Sequence, residues 1–361
     1  MFVKIPPIID IHTGKQLLNR LLFCQVNGGS QDLEPIVAHL PSSGWSQWIA
    51  AHGLSSLFLY ACRDKEIIPG SVLSQWETLQ IQLLFQNIGF LKIAATLFTD
   101  LEDAGIQAVA MRGLTLLNKI YQEPCMRPMG DIDILINQAD CDSVRSVLDD
   151  KNYALKAVYR SQYVYSIADR DMEIHWSFIT AKRYRKRMDT SRFIATRQPL
   201  ELKEGRIFCL KEENELIGLV AHAVIHHELT ILRQLFDIAF YLCMPDMDWD
   251  YISTWCRKAQ MTRMFVFTIH LTGILFDIDV SIILKHFHVQ ISRSRDKIVQ
   301  NYVESFFTVH ISQLLARKRN VIYMAEGPWK KMEQLLTLFS MTEAKDIYKR
   351  YFESETPRQN N

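Results

Sequence analysis

The chain has 361 residues, 48% hydrophobic and 22% charged, and its 41 basic and 40 acidic side chains leave a net charge of +1. That length allows two or three domains around a substantial core; the near-zero charge excludes a global field that would draw in nucleic acid or membranes. Seven scattered cysteines with no C-x-x-C argue against a zinc ribbon or a disulfide framework and fit a reducing cytoplasm.

From the N-terminus, Met1 to Pro7 lacks a charged region followed by an apolar core, so no signal peptide is expected. No stretch reaches about 18 apolar residues free of charge. The nearest, Met264 to Leu284, is broken by His270, Asp277 and Asp279, so a soluble protein away from membranes is expected. Residues 1–95 read as helical, with apolar positions at three- and four-residue spacing in Trp45–Gly53 and Val72–Leu84. Residues 96–212 carry the strands. Ile106 to Met111 reads as a strand ending in Arg112-Gly113, and Leu114–Tyr121 follows with helical periodicity. Tyr163–Ile167 and Asp171–Trp176 read as a hairpin around Ala-Asp-Arg, with Asp171, Glu173 and His175 on one face. From residue 213 to 361 the pattern is helical again, up to a polar tail, Glu353–Asn361, expected to be disordered.

The stretch with the most chemistry is Arg127-Pro-Met-Gly-Asp131-Ile-Asp133-Ile-Leu-Ile136. Side chains alternate along a strand, so Asp131 and Asp133 share a side, roughly 6.5–7 Å apart along the backbone, while Ile132, Ile134 and Ile136 face the core. Two carboxylates held on one rigid edge repel unless a cation lies between them. Hard oxygen ligands on a fixed strand suit Mg²⁺, with phosphate oxygens completing its shell. Glu173, on a neighbouring strand, supplies a third carboxylate. The helix carrying His222, His226 and His227 places histidines at i and i+4, but it is not H-E-x-x-H, and packing on the α/β core is the expected role. Arg233 and Asp237 read either as an i,i+4 ion pair on a solvated face or with Arg233 in the cleft. The basic run Lys182-Arg183-Tyr184-Arg185-Lys186-Arg187 is a solvated face or meets an anionic acceptor.

Met111-Arg112-Gly113, Tyr121, Arg127, Asp131-x-Asp133, Met172-Glu173-Ile-His175-Trp176, Leu216–His226 and Leu232–Ala239 together resemble the bacterial nucleotidyltransferase family proteins of the polymerase-β-like superfamily. The resemblance covers roughly residues 40–290 and is specific only in combination. It implies an α+β fold, a small mixed-sheet nucleotidyltransferase core between helical regions. It also implies a place in a bacterial biosynthetic pathway and a transfer of a nucleoside monophosphate from an NTP such as ATP, with release of pyrophosphate. Two Mg²⁺ ions would be held by Asp131, Asp133 and Glu173. Arg112, Gly113, Thr115, Arg127, His175, His222 and Arg233 would contact the nucleotide or line its cleft, Arg112 or Arg127 neutralising the leaving group. The superfamily opens its helix with Gly-Ser about ten residues before the aspartates; here Gly113-Leu114 stands 18 residues before Asp131, and Arg112 stands where the family usually has Lys.

Other readings compete. The carboxylates could serve a glycosidase, but adjacent same-face aspartates fit a metal better. No Walker A, G-x-G-x-x-G or G-x-S-x-G sequence occurs. A degenerate relative that binds without catalysing, and a toxin-like transferase acting on transfer RNA ends, stay open, as do the acceptor and any nucleic-acid contact.

Overall fold

The strand with the two aspartates is the middle of a seven-stranded mixed sheet. A computed structural model describes residues 9–40, 44–167, 170–179, 182–185, 187–289, 291 and 293–307; the polar tail expected at 353–361 lies outside them. Helices α1 (Ile11–Asn27), α2 (Glu34–Val37), α3 (Trp45–Ala51), α4 (Ser55–Ala61) and α5 (Gly70–Asp103) lead into β1 (Ala108–Met111), α6 (Gly113–Lys119), β2 (Asp131–Ile136) and α7 (Cys141–Asp150). Next come β3 (Ala154–Val158), β4 (Gln162–Ile167), β5 (Arg170–His175), α8 (Lys182–Arg185), α9 (Thr190–Ala195), β6 (Gln198–Leu202) and β7 (Gly205–Cys209). Helices α10 (Glu212–Ile225), α11 (Leu232–Leu242), α12 (Trp249–Ala259), α13 (Thr262–Phe276), α14 (Ser281–His286) and α15 (Arg293–Phe307) complete the described chain.

The sheet runs β3-β4-β5-β2-β1-β7-β6. β2 lies antiparallel to β1 and parallel to β5, the expected β4–β5 hairpin is antiparallel, and β1 continues parallel to β7. The mixed α/β architecture is therefore the expected one. Three further strands extend it. β6 carries Pro199, which an edge strand tolerates because no ladder donor is needed on its outer side.

The two-residue period of β2 divides the molecule into two cores. Ile132, Ile134 and Ile136 pack with Ala108, Ala110 and the second half of α5, from Phe90 to Leu101. On the opposite face Leu135, Val109 and Met111 join a larger core built from α1, α3, α4, α10, α11 and α13. Helices from both ends of the sequence thus share one apolar interior. α5 is the common wall: Trp76 and Leu83 enter the larger core and the residues after Phe90 the smaller. By length and composition α5 is the one described helix that could cross a membrane, so the nearest approach to an apolar span lies there and not at Met264–Leu284. It also steadies the approach to the aspartates. Asn87, fully buried, donates to the carbonyls of Pro124 (2.6 Å) and Arg127 (2.9 Å).

Candidate active site between the sheet and helices α10 and α11

Asp131 and Asp133 emerge on the sheet face covered by α10 and α11. β2 and β5 pair in register, so Asp133 stands opposite Glu173 and Asp131 opposite Asp171. Asp133 is buried; its Oδ1 accepts from Arg112 Nη1 at 2.6 Å and from His175 Nε2 at 2.8 Å. The same imidazole nitrogen lies 3.2 Å from Glu173 Oε2, and Glu173 Oε2 accepts from Gln162 Nε2 at 3.0 Å. Asp133, Glu173 and His175 bring ligand atoms close enough to share one metal ion. Asp171 turns outward to Lys156.

Arg112 reaches Asp133 from a strained backbone. Its φ of 54° and ψ of −124° form a turn that favours glycine and costs an arginine on the order of 1–3 kcal/mol. Gly113 follows for a steric reason: a Cβ there would stand 2.8 Å from Met129 Cγ and Sδ and 3.0 Å from Arg127 Nη1. Met129 can yield, but Arg127 is fixed, so Gly113→Ala is expected to lower stability by about 1–3 kcal/mol and to weaken nucleotide binding. Denaturant unfolding alongside a binding titration checks both effects.

The charges of the site favour a cation. Burial, then repulsion from Asp133 and Glu173, pushes the Asp131 carboxyl up to about 7. Burial works against the Asp133 carboxylate too, but the Arg112 guanidinium and the His175 hydrogen bond hold its pKa well below the usual range. For His175, burial disfavours the imidazolium, and the bonds to Asp133 and Glu173 outweigh it and raise the pKa. Three carboxylates on two adjacent strands thus carry more negative charge than their protein partners comfortably neutralise. That donor set fits a hard divalent ion.

Arg112, Gly113, Arg127, Asp131, Asp133, His222 and Arg233 all line one cleft, with Glu173 and His175 flanking Asp133 on β5. Thr115 differs from expectation. It is fully buried, its hydroxyl donates to the Ala110 carbonyl at 3.1 Å, and it does not reach the cleft. The solvated Arg233–Asp237 pair is also corrected. Asp237 is fully buried and takes both Nε (3.1 Å) and Nη2 (2.8 Å) of Arg127, while Tyr121 donates to its Oδ1 at 2.6 Å. Arg127 is thereby committed to Asp237, which leaves Arg112 and Arg233 as the cleft's other guanidinium groups. His222 packs by its ring against His226 and bonds to His227 Nε2 at 3.0 Å rather than to backbone. Burial, then the nearby Arg112, drives its pKa well below the ordinary value and keeps it neutral. In the basic run Tyr184 is buried and anchors α8; the side chains of Lys182 and Arg183, and Lys186 altogether, lie outside the described residues.

Asp237 and Glu215 escaped the sequence as functional supports. Glu215, buried on α10, accepts from Tyr241 at 3.0 Å and lies 3.7 Å from Lys119 Nζ; burial pushes it up to about 7 against the pull of Lys119. Both are carboxylates inside apolar helical patterns, and that mismatch was the only available signal.

A family described as uncharacterised nucleotidyltransferases matches residues 44–277. The chain belongs to that family. This nucleotidyltransferase is therefore a transferase by descent, and the matched span contains every site residue discussed above. No curated protein matches it. Among solved structures, it is similar to the antibiotic-resistance factor ANT(2'')-Ia at 9% identity, covering 56% of this chain and 98% of that one, with a TM-score of 0.32. It is also similar to an antigenic nucleotidyltransferase-like protein from Paracoccidioides brasiliensis at 14% identity, 55% and 92% coverage and a TM-score of 0.38.

Proposed function

We propose that the cleft transfers a nucleoside monophosphate from an NTP to a hydroxyl or phosphate acceptor in the cytoplasm, with Mg²⁺ held by Asp131, Asp133 and Glu173. The observation that carries this reading is the register of β2 on β5, which sets Asp133 opposite Glu173 with Asp131 two residues before it on the same strand; burial, then repulsion from those two carboxylates, raises the Asp131 pKa to about 7, and a divalent ion relieves it. Bound there, Mg²⁺ supplies positive charge to the attacking and leaving oxygens. The chain's own residues orient the reactants. Arg112 and His175 fix the Asp133 carboxylate, and Arg233 stands at the far side of the cleft with no ion pair among the described residues. The acceptor oxygen bonds to the α-phosphorus as the bond to the bridging oxygen breaks; pyrophosphate leaves with the electron pair and the acceptor's proton passes to water.

One observation favours the non-catalytic alternative. Leu114, standing where the superfamily pattern has serine, is fully buried, and the Thr115 hydroxyl is turned inward, so neither offers an oxygen to a triphosphate. Incubation with each α-labelled NTP, Mg²⁺ and a small-molecule extract separates the two readings. A labelled product that disappears with Glu173→Gln is expected; binding of NTP with no labelled product would favour the binding role.

A further inference from the structure

The cleft continues past Arg233 into a second cavity of about 560 Å³. Pro128, Ile231 and Arg233 line both spaces. The outer wall comes from Ser55 and Ser56 at the start of α4 and from Gln75, Trp76 and Leu79 on α5. Trp76 is held edge-on to Trp45 and Phe58, which makes that wall rigid.

Among the described residues, three polar atoms of this lining are buried without a hydrogen-bond partner: Ser55 Oγ, Ser56 Oγ and Arg233 Nε. Ser55 and Ser56 are each 2% exposed. Buried polar atoms are nearly always paired, so three orphans around one cavity point to a ligand that pairs them. Arg233 forms no ion pair among the described residues, because the nearby Asp237 is taken by Arg127. No Asp or Glu lines the cavity among the described residues. Arg233, the imidazole of His52 and the hydroxyl and amide groups around them suit a small hydroxylated molecule carrying one anionic group, and the volume falls within the range of roughly 300–1,000 Å³ for such sites.

We propose that this cavity is the acceptor pocket, and that the acceptor is a small polyhydroxylated molecule whose phosphate or carboxylate rests on Arg233 while a hydroxyl faces the cleft. The proposal rests on the cleft being the nucleotide site. In the transfer, that hydroxyl oxygen bonds to the α-phosphorus, the α–β bridging bond breaks, pyrophosphate carries off the electron pair and the proton goes to water. The anionic acceptor first sought at the basic run is thereby placed at Arg233.

The test is calorimetric titration of the Mg²⁺-loaded full chain with glucose 1-phosphate, gluconate and glucose, and separately with a non-hydrolysable NTP analogue. The variants are Leu79→Glu, a surface change at the rim that adds a repelling carboxylate, and Ser55→Ala/Ser56→Ala. The expected result is binding of glucose 1-phosphate or gluconate but not glucose, at least tenfold weaker in both variants, with NTP-analogue affinity within twofold of wild type. Phosphate and carboxylate arms identify the anion. NTP-analogue binding with neither anion bound overturns the pocket and leaves the nucleotide reading intact. A parallel loss of NTP-analogue affinity in the variants assigns the cavity to the nucleotide and overturns the proposal. Anion binding with no NTP-analogue binding in wild type overturns the acceptor role together with the reading beneath it.

Discussion

Asp131→Asn is expected to abolish transfer while making the metal-free protein more stable at pH 8. The sign follows from the Asp131 carboxyl, whose pKa rises from 3.8 in the unfolded chain to about 7 in the folded one. A raised carboxyl contributes stability that is fully present below about pH 4 and is lost as pH rises through about 7. At pH 8 the folded protein holds a half-buried charge beside Asp133 and Glu173, and asparagine removes it. Each 1 kcal/mol so relieved raises Tm by about 2–4 °C or somewhat less in a chain of this size. The difference between variant and wild type should be near zero at pH 4 and largest at pH 8. Mg²⁺ should raise the wild-type Tm at pH 8 and leave the variant nearly unmoved. Activity should fall by at least about 100-fold, because the lost group helps hold charge that acts on the transition state. A melting series across pH, with and without Mg²⁺, checks this together with a transfer assay. A variant destabilised at every pH would show that Asp131 is a structural carboxylate.

The second large effect lies below the cleft. Asp237→Ala removes the buried carboxylate that receives Arg127 through two nitrogens and Tyr121 through its hydroxyl. What remains is an uncompensated guanidinium inside the larger core, at a cost of about 3–5 kcal/mol. Arg127 also packs against Gly113, so the loop leading to Asp131 should loosen and the cleft should lose nucleotide affinity. Arg127→Met/Asp237→Leu, which removes both charges, should recover much of the stability without recovering binding. Urea unfolding of the two variants reads the difference. Equal destabilisation by both would mean that the pair contributes through shape and not through charge.

How far the sequence disclosed this molecule can be traced residue by residue. The strand Asp131–Ile136 was legible because its alternation is strict: three isoleucines on one face fix which way the aspartates point. Register did the rest, since Glu173 could only be suspected as a partner until β2 and β5 were seen to pair with Asp133 opposite Glu173. The edge strands were harder. β3 is exposed and half-buried in alternation with no apolar core face, and β6 carries a proline, so neither has a periodic signature. Of the two readings of the Arg233–Asp237 spacing, the helical surface pair failed, because i,i+4 spacing states which residues are neighbours and not whether their face is wet; the other, with Arg233 in the cleft, agrees with the structure. Thr115 failed for a related reason. Its position one residue past Leu114 turns its hydroxyl into the β1–α6 turn, a rotation that only the backbone geometry at Arg112 determines.

The proposed chemistry depends on Asp131, Asp133 and Glu173 forming a divalent-metal and nucleotide site. Calorimetric titration of wild type and Asp131→Asn/Asp133→Asn with ATP, GTP, CTP and UTP, each with and without Mg²⁺, tests it most directly. Binding of at least one nucleotide only when Mg²⁺ is present, and its loss in a double variant that still melts cooperatively, is the predicted result. Nucleotide binding unchanged by Mg²⁺ or by the double substitution would contradict it.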